Sequence, residues 1–132
     1  MRRTPLITAL IALVAFAAVL APAALASGGG TTRSIALHGS VSFPNATGKA
    51  VYKVNGSERE LQIEVDHIKV LAGKHINVFV NGNKLASPQV SSLGIARVDR
   101  NTDKGQFVPT IKTGSTVRVR TLGGTLIASG AF

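Results

Sequence analysis

Apolar side chains recur at every second position in short runs beyond residue 32, and Gly, Asn, Asp, Ser and Pro separate these runs. Val117 and Val119, for example, alternate with Arg118 and Arg120. A period of two is that of β-strands, in which successive side chains point to opposite faces of a sheet. Cysteine is absent, so the fold must depend on packing without any disulfide.

The number of these runs predicts the fold class. Seven or eight short strands, joined by turn signals about every 8 to 12 residues, are typical of a single antiparallel β-sandwich of immunoglobulin-like type. An eight-stranded barrel is the competing way to close such a sheet. The cysteines and Trp that mark true immunoglobulin domains are missing, so the pattern predicts the architecture and not that family.

The clearest supersecondary signal is a hairpin over Lys49–His67. Asn55-Gly56 favours a two-residue type I′ turn, because Asn and Gly both tolerate a positive φ. In that register the inner face holds Leu61, Ile63 and Val65, with Arg59 at its end near the turn. The predicted pairs are Val54 with Ser57, Lys53 with Glu58 and Ala50 with Leu61.

The second strand of that hairpin places most of the acidic residues of the chain on its outer face. Such a row on a sheet surface is typical of a solvated face. Paired carboxylates can also perform acid–base chemistry, so an enzyme whose site combines Glu64, Asp66 and His67 remains an alternative. The residues of the row are Glu58, Glu60, Gln62, Glu64 and Asp66.

The rest of the chain supplies the other strands, with Asn81-Gly82 and Gly123-Gly124 as turns. Pro88 predicts an edge strand or a bend, because proline cannot donate to a strand ladder. The predicted strands are His75 to Val80, Lys84 to Val90, Gly94 to Arg100, Ser115 to Thr121 and Thr125 to Phe132.

The N-terminus has the order of a secretory signal peptide over residues 1–26. Arg2 and Arg3 precede an apolar run from Leu6 to Leu20, which leads to Ala24-Leu25-Ala26. Cleavage is expected after Ala26 or after Ala23, and an uncleaved membrane anchor is the alternative. The sequence thus predicts a flexible Gly/Ser-rich tail over 27–32 and a domain over 33–132. The leader predicts that the protein is secreted or lies on the exterior of the cell envelope. Its short, alanine-rich sequence suggests bacterial export.

The charge of the remaining chain suggests an anionic partner. Removing Arg2 and Arg3 from the 15 Lys and Arg leaves 13 against 6 acidic residues, a formal charge of +7. Such a charge attracts polyanions, although it also serves solubility alone. Nucleic acid is disfavoured, because Tyr52 is the only Tyr and Trp is absent. The predicted contacts to an anionic polymer or envelope component are Arg97, Lys112, Arg118 and Arg120.

No motif for catalysis, a cofactor or a complete metal site occurs in the sequence. His38, His67 and His75 are far apart and match no metal-ligand spacing. Asp99, Asn101 and Asp103 alternate as in a calcium loop, but Gly105 stands one place late and the acid expected further on is missing. The same residues are ordinary turn formers. We therefore expect no cofactor and no catalytic residue, and calcium is only a secondary interpretation.

Four stretches between Ala36 and Val80 allow a comparison with a known family. They are Leu37-His38-Gly39, Ala46-Thr47-Gly48-Lys49-Ala50-Val51-Tyr52, Leu61 to Ile68 and the strand at Ile76. This region, under half of the chain after the leader, resembles the chordin-type (CHRD) domains of secreted bacterial proteins. The resemblance implies an extracellular β-sandwich without an established enzymatic role. The family usually has a His-x-His pair where Asn77 and Phe79 stand, so no metal property follows.

Export, the lack of reactive motifs and the basic charge together favour a secreted, non-catalytic β-sandwich module. Its expected role is to bind anionic envelope or extracellular components. A structural or self-associating protein is the alternative, because Thr125 to Phe132 has few polar residues and would form an unprotected edge strand.

Overall fold

The computed structural model describes residues 30–132. The predicted signal peptide, with its helix, lies outside the described residues, as do residues 27–29. Within residues 30–132 no helix is long and apolar enough to cross a membrane. The chain from Thr31 to Phe132 forms one compact unit.

Eight strands form one sheet in which every neighbour is antiparallel, in the order β5-β4-β7-β8-β1-β2-β3-β6. The sheet is nearly closed into a barrel with sandwich-like packing, so the predicted antiparallel all-β fold is confirmed. Two single-turn 3-10 helices, Lys69–Leu71 and Thr102–Lys104, lie in the connections. The strands are β1 (Thr31–Gly39), β2 (Thr47–Asn55), β3 (Glu58–Asp66), β4 (Ile76–Val80), β5 (Asn83–Ala86), β6 (Ala96–Asn101), β7 (Thr116–Thr121) and β8 (Leu126–Ala131).

The alternating residues predicted to point inward form the core. Ile63, Val78 and Val119 have 2%, 1% and 0% of their surface exposed. Because their neighbours along each strand must then face outward, the core also determines which charged residues share the outer surface. The cluster further includes Leu37, Leu61, Val65, Ile68, Ile76, Val90, Val98, Val108, Val117 and Ile127.

The edge strands are β5 and β6, and one prediction about edges is wrong. The segment Thr125 to Phe132 was expected to be an unprotected edge, but β8 pairs with both β7 and β1. Pro88 follows β5, which agrees with an edge position there. The two edges approach each other, since Nη2 of Arg100 on β6 donates to the carbonyl oxygen of Leu85 on β5 at 2.8 Å.

The β2–β3 hairpin forms with a register different from the predicted one. Asn55 pairs with Glu58, so the two loop residues are Gly56 and Ser57. Only Gly56 has a positive φ there, 64°, which indicates a type II′ turn instead of type I′. The shift moves each pair by two residues and therefore leaves both faces as predicted. The observed pairs are Val54 with Arg59, Lys53 with Glu60 and Ala50 with Ile63.

The second Asn-Gly pair forms the expected turn between β4 and β5, and this turn is of type I′. Asn81 and Gly82 have φ of 52° and 84°. Asn81 is held from a distant part of the chain, because its backbone N donates to the carbonyl oxygen of Thr116 at 2.9 Å. In return, the backbone N of Thr116 donates to Oδ1 of Asn81 at 3.1 Å.

The strand directions place four connections at one end of the sheet, which we call the loop end. They span residues 40–46, 67–75, 87–95 and 122–125. The opposite end, the turn end, holds the turns at 56–57 and 81–82 and the segment 102–115. β1 also begins at the turn end, at Thr31, two residues before the predicted start of the domain at Arg33.

Candidate anion-binding face

The acidic residues are confined to one part of the sheet. Six strands, namely β1, β2, β4, β5, β7 and β8, contain none of the 6 acidic residues of the chain. Their segregation could not be read from the sequence, because it depends on β3 and β6 being neighbours. The acidic residues are Glu58, Glu60, Glu64 and Asp66 on β3, Asp99 on β6, and Asp103 in the 3-10 helix after it.

A basic face occupies the outer side of three acid-free strands. Arg118 on β7 pairs in register with Phe79 on β4, and Phe79 pairs with Lys84 on β5. Arg118 faces outward because Val117 and Val119 are buried. Residues in register on neighbouring strands lie side by side on one face, so the Phe79 ring lies between two cationic side chains. We define the basic face as Phe79, Lys84, Arg118 and Arg120.

Arg120 shares this outer side of β7 and lies nearer the loop end. It pairs with Asn77 on β4. Its Nη1 donates to the carbonyl oxygen of Gly124 at 3.1 Å, which holds the guanidinium against the β7–β8 turn. The remaining N–H groups of a guanidinium can donate to an anionic oxygen, often two at a time. On the other side of Arg118, β8 contributes the neutral Ser129.

The other two predicted contacts lie elsewhere. Arg97 is on β6, at the opposite end of the strand order from β4 and β5. Its Nη2 lies 2.8 Å from Oε2 of Glu64 in the only ion pair among residues 30–132. Lys112 is exposed in the segment before β7, where its backbone N donates to Oγ of Ser115 at 2.9 Å. The structure therefore brings together Arg118 and Arg120, but not Arg97.

A cleft at the turn end adds two basic residues that the sequence reasoning missed as contacts. It has a volume of about 310 Å³, and its lining includes Arg59, Lys84, Phe107 and Val108 without any acidic side chain. Nη1 of Arg59 donates to Oγ1 of Thr110 at 3.1 Å. Lys84 belongs to both the cleft and the basic face, so the two surfaces are continuous. In the sequence, the position of Lys84 two residues after the Asn81-Gly82 turn was the signal that could have indicated this contact.

The partial calcium motif forms a capped turn. Oδ1 of Asn101 accepts from the backbone N of Asp103 at 2.8 Å and so caps the 3-10 helix Thr102–Lys104. Its Nδ2 donates to Oε2 of Glu58 at 3.0 Å. Asp99 precedes this turn on β6, in register with Gln62. The oxygen of Asn101 thus serves the backbone, as in an ordinary turn.

Glu64 and Asp66, two residues of the enzyme alternative, are neighbours on the outer side of β3, and His67 directly follows that strand. Glu64 pairs with Arg97 and lines a depression of about 190 Å³. Partial burial, and then the neighbouring Glu64 carboxylate, raises the pKa of Asp66. His67 has a φ of 63°, and its Nδ1 lies 3.0 Å from Oγ1 of Thr47. His67 lines a different depression, between the loops at 42–46 and 67–70.

The three histidines do not form a cluster. In the described part of the chain, no group of three or more His, Cys, Asp or Glu side chains is arranged to hold a metal ion. His38 lies on the outer side of β1, next to Thr47 of β2 and Ser129 of β8. Nδ1 of His75 lies 2.9 Å from the carbonyl oxygen of Ser87.

Comparison with known proteins gives no relative. No known protein family, no curated protein and no solved structure matches the chain. The resemblance to CHRD domains therefore stays a prediction, and any functional argument depends on the residues described above.

Proposed function

We propose that the protein is a secreted, non-catalytic β-sandwich module that binds an anionic polymer of the cell envelope or the extracellular space through its basic face. The observation that supports this proposal is the segregation of all acidic residues to β3, β6 and the adjoining 3-10 helix. The leader-like N-terminus and the CHRD resemblance favour the same extracellular role.

The local surface potential at the basic face matters more for binding than the net charge of the protein. Cationic side chains without nearby carboxylates produce a positive surface potential, which attracts anions and accelerates their association. Arginine suits this task because its planar guanidinium donates two parallel hydrogen bonds to a carboxylate, sulfate or phosphate group. Phe79 adds an apolar surface between the cations, and the cleft at Arg59 extends the binding path beyond Lys84.

A charge-matched pair of double variants tests the proposal. Arg118→Gln/Arg120→Gln removes two charges from the basic face, whereas Arg97→Gln/Lys104→Gln removes two from the strand β6 and the 3-10 helix that follows it. We expect the first variant to lose at least about tenfold in affinity for heparin, equal to about 1.4 kcal/mol, and the second to lose less than about twofold, because Arg97 is paired with Glu64.

The affinity should be measured at several salt concentrations by binding to immobilised heparin. Added salt screens exposed charges, so the difference between the two variants should shrink as the ionic strength rises. Equal losses in both variants would show that net charge alone governs binding and would overturn the proposed face. Circular dichroism of both variants verifies that the fold is retained.

A further inference from the structure

Four of the five large apolar side chains that are most exposed lie at the loop end. Val41 is 97% exposed, Val70 is 77%, Leu93 is 74% and Leu122 is 64%. Each belongs to a different loop among the four that define this end. The fifth, Phe107, lies in the segment 102–115 at the turn end. A concentration of exposed apolar groups on one surface marks an interaction site.

Contacts between the loops hold these side chains on one surface. The backbone N of Ile68 donates to the carbonyl oxygen of Gly94 at 3.1 Å, which joins the loops that contain Val70 and Leu93. The backbone N of Ser40 donates to the carbonyl oxygen of Ile127 at 2.9 Å and joins the loop of Val41 to the start of β8. The loops at 42–46 and 67–70 share one depression. The loops of Val41, Val70 and Leu93 are therefore adjacent, and Leu122 lies in the loop that leads into β8.

The charges of the loop end are of one sign. The four loops contain Lys69 and Lys74, both exposed, and the histidines His67 and His75, but no carboxylate. Asp66, the last residue of β3, directly precedes the second loop. Exposed apolar side chains beside lysines, with no acidic residue within the four loops, complement a surface that is negatively charged outside and apolar beneath.

We infer that the loop end docks on an anionic lipid bilayer. The apolar side chains enter the boundary between headgroups and acyl chains, while Lys69 and Lys74 lie among the anionic headgroups. A bilayer is favoured over a protein partner because the four apolar residues project from four separate loops, and a fluid interface accommodates each of them independently. The inference involves residues outside the basic face, so neither proposal requires the other.

A single-tryptophan reporter tests the site directly, since the chain has no Trp. The protein is prepared as Leu93→Trp and, as a matched control at the turn end, as Ser57→Trp; both positions are exposed. Vesicles of phosphatidylcholine with phosphatidylglycerol should shift the emission of Leu93→Trp to shorter wavelength and leave the emission of Ser57→Trp unchanged. Vesicles of phosphatidylcholine alone should have a much weaker effect, because they lack anionic headgroups.

The reporter also separates docking by the loops from other causes of vesicle binding. If the N-terminal apolar segment alone binds the vesicles, the protein sediments with them while neither reporter shifts, and the inference is overturned. An emission shift that grows with protein concentration without vesicles would show that a second copy covers the loop end, which also overturns it.

A second measurement uses the Leu93→Trp reporter with the two lysines of the loop end replaced. Lys69→Gln/Lys74→Gln should lower the apparent affinity for the anionic vesicles by at least about tenfold, because each lysine near an anionic surface contributes roughly fivefold. Arg118→Gln/Arg120→Gln provides the comparison with the basic face. For Arg118→Gln/Arg120→Gln we expect weaker heparin binding with unchanged vesicle binding. Unchanged heparin binding in that variant would contradict only the proposed function, whereas unchanged vesicle binding of Lys69→Gln/Lys74→Gln would contradict only the docking of the loop end.

Discussion

Arginines on the outer side of the sheet have different neighbours in its acidic part, β3 and β6, and on β7. On β3 and β6, the cation Arg97 lies in register with a carboxylate, Glu64, and forms an ion pair with it. On β7, Arg118 lies in register with the neutral Phe79 and Ser129. The availability of an arginine for a partner therefore depends on its neighbours across the strands, which net charge does not reveal.

The largest expected effect comes from placing a carboxylate in the acid-free part. Ser129 is half-buried between Arg118 and His38 in register, so Ser129→Glu should give Arg118 a partner of the kind that Arg97 has. We expect the affinity for heparin to fall by about tenfold and the free energy of unfolding to change by less than about 1 kcal/mol. Binding assays and urea unfolding measure the two quantities.

Ser34→Glu is the matched control for that variant. Ser34 is exposed on the outer side of β1, where it pairs with Val51, and it is two strands away from β7. The change in net charge is the same in both variants, but only Ser129→Glu lies beside Arg118. Similar losses of affinity in both would contradict the argument from neighbours.

A smaller effect on heparin binding is expected when the carboxylate beside Arg97 is removed, so that Arg97 has a neutral neighbour as Arg118 has. Glu64→Gln removes the partner of Arg97, whose side chain is 67% exposed. The affinity for heparin should rise by about twofold, and the free energy of unfolding should fall by no more than about 1 kcal/mol, as for other exposed ion pairs. Glu60→Gln, on the same side of β3, makes the same change in charge without releasing Arg97 and should raise the affinity less.

The smallest expected effect is a pH dependence at Asp66. Its pKa is raised in the folded protein by partial burial and by Glu64, so its ionised form costs stability at pH values above that pKa. Asp66→Asn should therefore increase the free energy of unfolding near neutral pH by less than about 0.5 kcal/mol. The difference should shrink as the pH falls through the raised pKa of Asp66 towards about 3.9, its ordinary value.

Urea unfolding of both proteins across that pH range measures this difference. The same substitution in a Glu64→Gln background should give a smaller gain, because the neighbouring carboxylate is already gone. A stability difference that does not vary with pH would contradict the assignment to Asp66.

Sequence alternation predicted much of the fold because the period of two survives in the strands that form most of the core, such as β3, β4 and β7. The predicted segments His75 to Val80, Ser115 to Thr121 and Thr125 to Phe132 match β4, β7 and β8 to within one residue at each end. The hairpin register failed because two identical Asn-Gly pairs form different turns. Asn81 exchanges hydrogen bonds with Thr116, 35 residues away, and such a partner is not visible in a local pattern.

The candidate site was predictable only where it depends on one strand. Alternation along β7 was enough to place Arg118 and Arg120 on one face. The separation of Arg97 and the additions of Phe79 and Lys84 depend on which strands are neighbours. That order arises from the packing of the whole sheet, and residues distant in the chain determine it.

The contact between Arg100 and Leu85 has a consequence for the wall of the barrel. A fully closed barrel has no first or last strand, whereas here a single guanidinium N–H spans the interval between β6 and β5. The backbone of β5 and that of β6 form no strand ladder with each other across this interval. Strand pairing therefore does not close the wall here, and the edges of β5 and β6 can separate without breaking any backbone hydrogen bond of a strand ladder.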